Sequence, residues 1–254
     1  MRAAWLKALV LPAALLVAAE IAVRVSGTTS QAVAAPSQVV VALIEALGDG
    51  SMLAATRDTL FAACVGLAIG AGIGLALGIL LGLVKPLDRL MEVTIEAVRP
   101  IPSVAVIPIA MLALGFGYGM EIAIVAFACL WPMLILSRSA ITGIEPRLLE
   151  VARALRLSVL QRVVKIVLPA ALPRIMVAFR LAAGIALVVA VTVEIAANPL
   201  GLGYGILIAQ QSLRPELMLA YLLWIGVVGL AVNALLNWAQ IRLFGRAALA
   251  AANS

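Results

Sequence analysis

Apolar positions along this chain fall into long blocks separated by short charged or Pro/Gly-rich intervals. Six blocks stand out, at approximately 6–23, 59–84, 93–114, 121–136, 175–197 and 217–241. They approach or exceed the roughly 20 apolar residues a helix needs to cross a bilayer. Between the first two, Pro36-Ser37 opens a short amphipathic helix with Val40, Leu43, Ile44 and Leu47 on one face and Glu45 opposite, suited to the membrane surface. The stretch 150–169, EVARALRLSVLQRVVKIVLP, breaks the pattern by carrying Arg153, Arg156, Arg162 and Lys165. Membrane proteins keep such a stretch in water, so it is expected to be a cytoplasmic loop folded as a helix.

The pattern predicts an all-α, polytopic integral membrane bundle of about six transmembrane helices. Residues 1–58 would form the first span and an outer segment, 59–246 the main membrane domain with a loop at about 145–170, and 247–254 a short tail. Composition agrees: of 254 residues, 65% are hydrophobic and 12% charged. Soluble domains use about 45–50% apolar and about 25% charged residues. A net charge of +6 then reads as the positive-inside bias rather than as nucleic-acid binding. With the N-terminus in the cytoplasm, fifteen basic residues lie on or near the inner side, Arg180 among them, and only Arg24, Arg57 and Arg214 lie outside. Both termini are therefore expected inside. Arg2 and Lys7 precede the first apolar run, and Ala32-Val33-Ala34 resembles a signal cleavage site. Glu20 and the polar interval 24–30 favour a retained first span instead.

The chemistry is sparse. The chain has no histidine and two cysteines, Cys64 and Cys129, both expected to be reduced and buried in helix packing. No phosphate-binding G-x-x-x-x-G-K-[ST] loop and no nucleophile–base pair occurs, so an enzyme is not expected, and no cofactor or metal site is read. Gly66, Gly70, Gly74, Gly78 and Gly82 recur every fourth residue and predict a close helix–helix seam. Pro100, Pro102 and Pro108 interrupt the third block just after Arg99; this is either a shaping kink or a pathway-lining segment, with Arg99 as an anion attractor. Glu194 lies near the end of the fifth block, before Asn198, Pro199, Gly201, Gly203 and Gly205, which read as a short re-entrant or gating loop. Arg99, Pro102, Glu194 and Asn198 are the candidate pathway residues.

The 150–169 stretch resembles the signature loop of binding-protein-dependent ABC importer permeases: E-A-A, three residues, G, nine residues, I-x-L-P. Glu150, Ala152, Ile166, Leu168 and Pro169 match. Val151 replaces an alanine, and Arg156 stands where the family has glycine, a change that favours continuation of the helix. PSQVVVALIEAL, RPIPSVAVIPIAMLALGFG, VLPAALPRI and AANPLGLGYGI resemble the nitrate, sulfonate and taurine branch. The resemblance implies a bacterial inner-membrane permease that forms a homodimer in the lipid bilayer. Glu150, Ala152, Leu155 and Arg156 would lie at or near two ATPase subunits, which bind the ATP and Mg that this chain does not. A periplasmic or lipid-anchored solute-binding protein would deliver an oxoanion or organosulfonate to the outer loops, with no role for nucleic acid. Thiamine-precursor or riboflavin-like cargo, a secondary transporter and a docking scaffold are the alternatives.

Overall fold

A computed structural model describes residues 2–26 and 34–252. Helices α1 (Arg2–Ser26) and α2 (Pro36–Gly48) precede α3 (Ser51–Leu83) and α4 (Lys85–Val98). A 3-10 turn (Ser103–Val106) leads to α5 (Ile107–Leu114), followed by α6 (Tyr118–Thr142) and α7 (Pro146–Ala154). Next come α8 (Val159–Arg162), a π turn (Val163–Val167), α9 (Leu168–Ala196), α10 (Gly201–Gln211) and α11 (Pro215–Ala252). Among the described residues, four helical segments are long and apolar enough to cross a membrane, or five if the bent pair 85–98 and 103–114 is one span. Six separate spans were expected. The third block is not one helix, because its axis turns by 82° between Val98 and Ser103. Pro100 and Pro102 supply no backbone donor there, so the helical ladder cannot run through. The proposed cleavage motif at 32–34 lies largely outside the described residues.

The core is α3, α6 and α9, joined by the glycine seam. A Cβ on Gly66 would stand 2.6 Å from Val125, and one on Gly78 would stand 2.7 Å from the Leu134 carbonyl and from Ser137. One on Gly82 would stand 2.7 Å from Ile141, and one on Gly70 would overlap the Ala126 carbonyl. The second half of α3 therefore touches most of the length of α6 backbone to backbone, and only glycine allows it. Gly72, off the seam, meets nothing within 4 Å. Against the other flank of α6, α9 packs alanines: Ala178, Ala182, Ala186 and Ala190 are all buried. Cys129 is buried as expected, its Sγ 3.4 Å from the Ala182 carbonyl. Cys64 is exposed, because the seam takes one face of α3 and leaves this position on another.

Two expectations about the ends change. In α2 the buried stripe is Val39, Ala42 and Ala46, with Leu43 and Leu47 beside it, whereas Val40 and Ile44 are exposed. Small side chains let α2 seat on α11 and α3, so it packs on the bundle rather than presenting its bulkiest face to it. At the chain's end α11 runs on through Ala252, so residues 247–252 prolong a helix rather than form a separate tail. Glu20 ties α1 to α2, accepting from the Ser37 N–H at 3.0 Å and from its hydroxyl at 2.8 Å.

Candidate functional site

The charged stretch 150–169 is not one helix. Helix α7 stops at Ala154, and Arg156 adopts φ +50°, the left-handed region. The Leu157 N–H then donates back to the Ala152 carbonyl at 3.1 Å, and the Leu155 N–H donates to the Val151 carbonyl at 3.0 Å. A six-to-one bond around a left-handed residue is the Schellman ending, normally given to glycine. Arginine was expected to continue the helix; the chain turns there regardless, because closing the loop outweighs the roughly 1–2 kcal/mol that a Cβ costs in the left-handed region. Glu150, Leu155 and Arg156 are exposed, and so are Val151 and Leu148, giving a short charged and apolar knob. Ala152 is buried within the chain, so it supports this knob from beneath instead of facing outward. After α8, the π turn leads into α9, whose early prolines, Pro169 and Pro173, both lack donors.

At the opposite end of α9 the structure assembles a buried polar cluster. Glu194, Asn198 and Glu121 are each 1% exposed. Asn198 Nδ2 donates to Glu121 Oε2 at 2.6 Å, and the Gly203 N–H donates to Glu194 Oε2 at 2.7 Å. Thr59 Oγ1 accepts from the Leu202 N–H at 2.9 Å and itself donates to the Ala55 carbonyl at 3.1 Å. The Pro/Gly-rich segment expected to be a re-entrant loop is thus a turn plus the 11-residue helix α10, latched to α3, α6 and α9. Gly201, at φ +85°, has its α-carbon against the Glu194 carboxyl group, where no side chain fits. Among the described residues no backbone or side-chain N–H and no hydroxyl is placed to donate to Glu121 Oε1, Glu194 Oε1 or Asn198 Oδ1. Burying such oxygens is costly, so the cluster is a demanding one. Of its carboxylates Glu194 was legible in the sequence; Glu121 was not, since it stood at the edge of an apolar block with no local sign of a partner.

Arg99 and Pro102 do not join that cluster. Both are exposed at the 82° bend, and Arg99 caps α4. Nearby, Arg138 Nη2 of α6 donates to Asp88 Oδ2 of α4 at 2.8 Å, with Glu92 3.7 Å away. The pair fixes α4 against the end of α6 that leads to α7. Arg180, counted among the basic residues near one membrane face, sits instead in the middle of α9, twelve residues after Leu168 and sixteen before Ala196. The helix begins seven residues earlier than the apolar block at 175 suggested, which moves this arginine inward. Among the described residues no group of three or more Cys, Asp or Glu side chains could hold a metal ion.

Comparison with known proteins bears on this arrangement. The pattern of the family described as "Binding-protein-dependent transport system inner membrane component" matches residues 70–247. A Bacillus subtilis (strain 168) permease, SsuC, whose name assigns it to aliphatic sulfonates transport, is 30% identical over 228 residues, covering 90% of this chain and 83% of its own. The bicarbonate transport system permease protein CmpB of Synechococcus elongatus is 32% identical over 158 residues, 61% of this chain and 56% of its own. Among solved structures, that of an amino acid ABC transporter with histidines aligns with a TM-score of 0.65 at 19% identity, covering 79% of this chain and 98% of that one.

Proposed function

This chain belongs to the family of binding-protein-dependent transport system inner membrane components, and from that premise we propose that it passes a small oxoanion or organosulfonate across the bacterial inner membrane. The chain is the permease subunit of an ABC importer, a multi-pass membrane protein without catalytic machinery of its own. Importers of this family work with an ATPase and a solute-binding protein. The finer reading adds that two copies pair in the bilayer, each meeting one of two ATPase subunits, with both termini in the cytoplasm. Relatives named for sulfonates and for bicarbonate support an anionic cargo.

The observation that carries the coupling half of this reading is the knob at α7. A nine-residue helix ending in a tight left-handed turn, with Glu150, Leu155 and Arg156 outward, is rigid enough to transmit a push. It connects through the π turn to α9, which packs on α6 and α3, so displacement of the knob would move the core as a body. At the other end, Glu194 and Asn198 hold the α9–α10 turn, which we read as the closed wall facing the binding protein. Arg99 and Pro102 form the bend at which α5 leaves α4, and so shape the path's flank.

ATP-dependent uptake tests the proposal. The importer, reconstituted with its ATPase and binding protein in proteoliposomes, is expected to accumulate a labelled alkanesulfonate or nitrate only with internal ATP. Uptake driven by an ion gradient without the ATPase would overturn the permease assignment, and uptake confined to cationic or neutral solutes would overturn the cargo. Glu150→Lys is expected to abolish uptake and weaken co-purification of the ATPase while membrane insertion stays normal. Unchanged co-purification and transport would remove Glu150 from the contact.

A further inference from the structure

We infer that Arg180, oriented by Asn233, is an anion-binding position at mid-membrane on the wall of the translocation path, an inference that rests on the permease reading and gives its cargo a place to bind. Depth comes from packing. Cys129, near the middle of α6, meets the Ala182 carbonyl, and Arg180 lies two residues from Ala182, or about 3 Å along the helix. Both surfaces of the bilayer are therefore far away, and the side chain cannot simply reach the headgroups. Arginine at that depth is costly if it faces lipid, and such residues face protein or a water-filled cavity.

The surroundings suit a small anion. Arg180 Nε donates to Asn233 Oδ1 of α11 at 3.0 Å, and among the described residues no carboxylate pairs with it. Asn233 fixes the guanidinium's direction but leaves its charge uncancelled and its Nη donors unengaged, the fork that matches a planar or tetrahedral oxyanion. Both residues line an open groove of about 600 Å³ with Val177, Leu181, Gly184 and Val188. These four repeat at helical spacing along one face of α9, and Val177, Leu181 and Val188 are 41%, 52% and 66% exposed. Gly184 has nothing within 4 Å of where a Cβ would stand, so unlike the seam glycines it is not required by packing within the chain. One guanidinium with its amide partner in an otherwise apolar groove is the pattern of a site that fixes a charged head and tolerates a short organic tail.

Charge-selective cysteine labelling tests this in the assembled importer in nanodiscs, with Cys64→Ser as background. Gly184→Cys places a thiol one turn from Arg180, and Val188→Cys is a second probe should the first assemble poorly. The anionic sulfonatoethyl methanethiosulfonate is expected to react faster than the cationic trimethylammonium reagent. One fixed charge about 7 Å away in water shifts the ratio of the two rates by about sevenfold, and by more in a drier groove. That preference should vanish in Arg180→Gln and persist in Arg180→Lys, and added ethanesulfonate should slow labelling only where the cation remains. No reaction with either reagent, as when a second copy or lipid seals the groove, overturns the inference. So does a rate ratio that Arg180→Gln leaves unchanged. The ATP-dependent uptake assay fails separately if the permease reading is wrong, since labelling requires no transport.

Discussion

Arg156→Gly tests whether the knob is shaped by closure of the loop rather than by the residue at its turn. At φ +50° a side chain with a Cβ costs about 1–2 kcal/mol relative to the right-handed region. Glycine avoids this but loses about 0.5–1 kcal/mol more backbone entropy on ordering, so the net advantage over alanine is about 0.5–1 kcal/mol. Alanine is the proper comparison. Both replacements remove the cation that favours a helix C-terminus by a few tenths of a kcal/mol, and among the described residues Arg156 makes no side-chain hydrogen bond or ion pair that either would lose. The Leu157 amide, bonded to the Ala152 carbonyl, reports opening of the turn by hydrogen exchange. Its exchange is expected to be about two- to fivefold slower in Arg156→Gly than in Arg156→Ala, with Arg156→Asn between them. Equal rates in the glycine and alanine variants, or slower exchange in alanine, would refute a left-handed turn at this position. Uptake measured in the glycine variant then separates strain from contact: if Arg156 touches the ATPase, transport falls although the turn has tightened.

Two residues apart on α3, Gly70→Ala and Gly72→Ala should diverge. The first drives a methyl into the Ala126 backbone and is expected to cost about 1–3 kcal/mol, lowering Tm by several degrees. The second, in open space, is expected to be neutral or to stabilise by up to about 1 kcal/mol; equal shifts in thermal unfolding would refute the seam. Asn198→Ala removes the donor to the buried Glu121 carboxyl group and is expected to cost about 1–3 kcal/mol, with faster proteolysis in the α9–α10 turn. An unchanged digestion rate would show that the latch does not depend on this bond.

What could be read in the sequence was what one helix states by itself. The fourfold glycine repeat defines a groove on α3 without knowledge of its partner, and α6 fills it. The donorless prolines likewise predicted an interruption after Arg99, although not that it would be an 82° turn. The cluster at Glu194 was only half legible: Gly201 and Gly203 sit close in the chain, but Glu121 lies 73 positions upstream, and only the packing of α6 on α9 brings it there. At Arg156 the local rule pointed the wrong way, because propensity acts within a helix and the turn is set by where α7 and α9 must join.

Arg180 shows how a boundary error can hide a functional residue. With the fifth span starting at 175, an arginine at 180 lies a turn and a half from the membrane surface and needs no explanation, since its long side chain can reach headgroups. With the helix starting at Leu168 and its midpoint pinned to Cys129 of α6, the same residue is stranded in the apolar layer. Among the described residues its hydrogen-bond partner is a neutral amide from α11, 53 positions away. The early start follows from VLPAALPR, where proline suits the first turn of a helix and so marks a beginning rather than a break. Reading Pro169 as the helix opener, with Pro173 carried inside the helix, moves the arginine inward by about 10 Å. That shift turns an ordinary boundary charge into one that needs water and an anion.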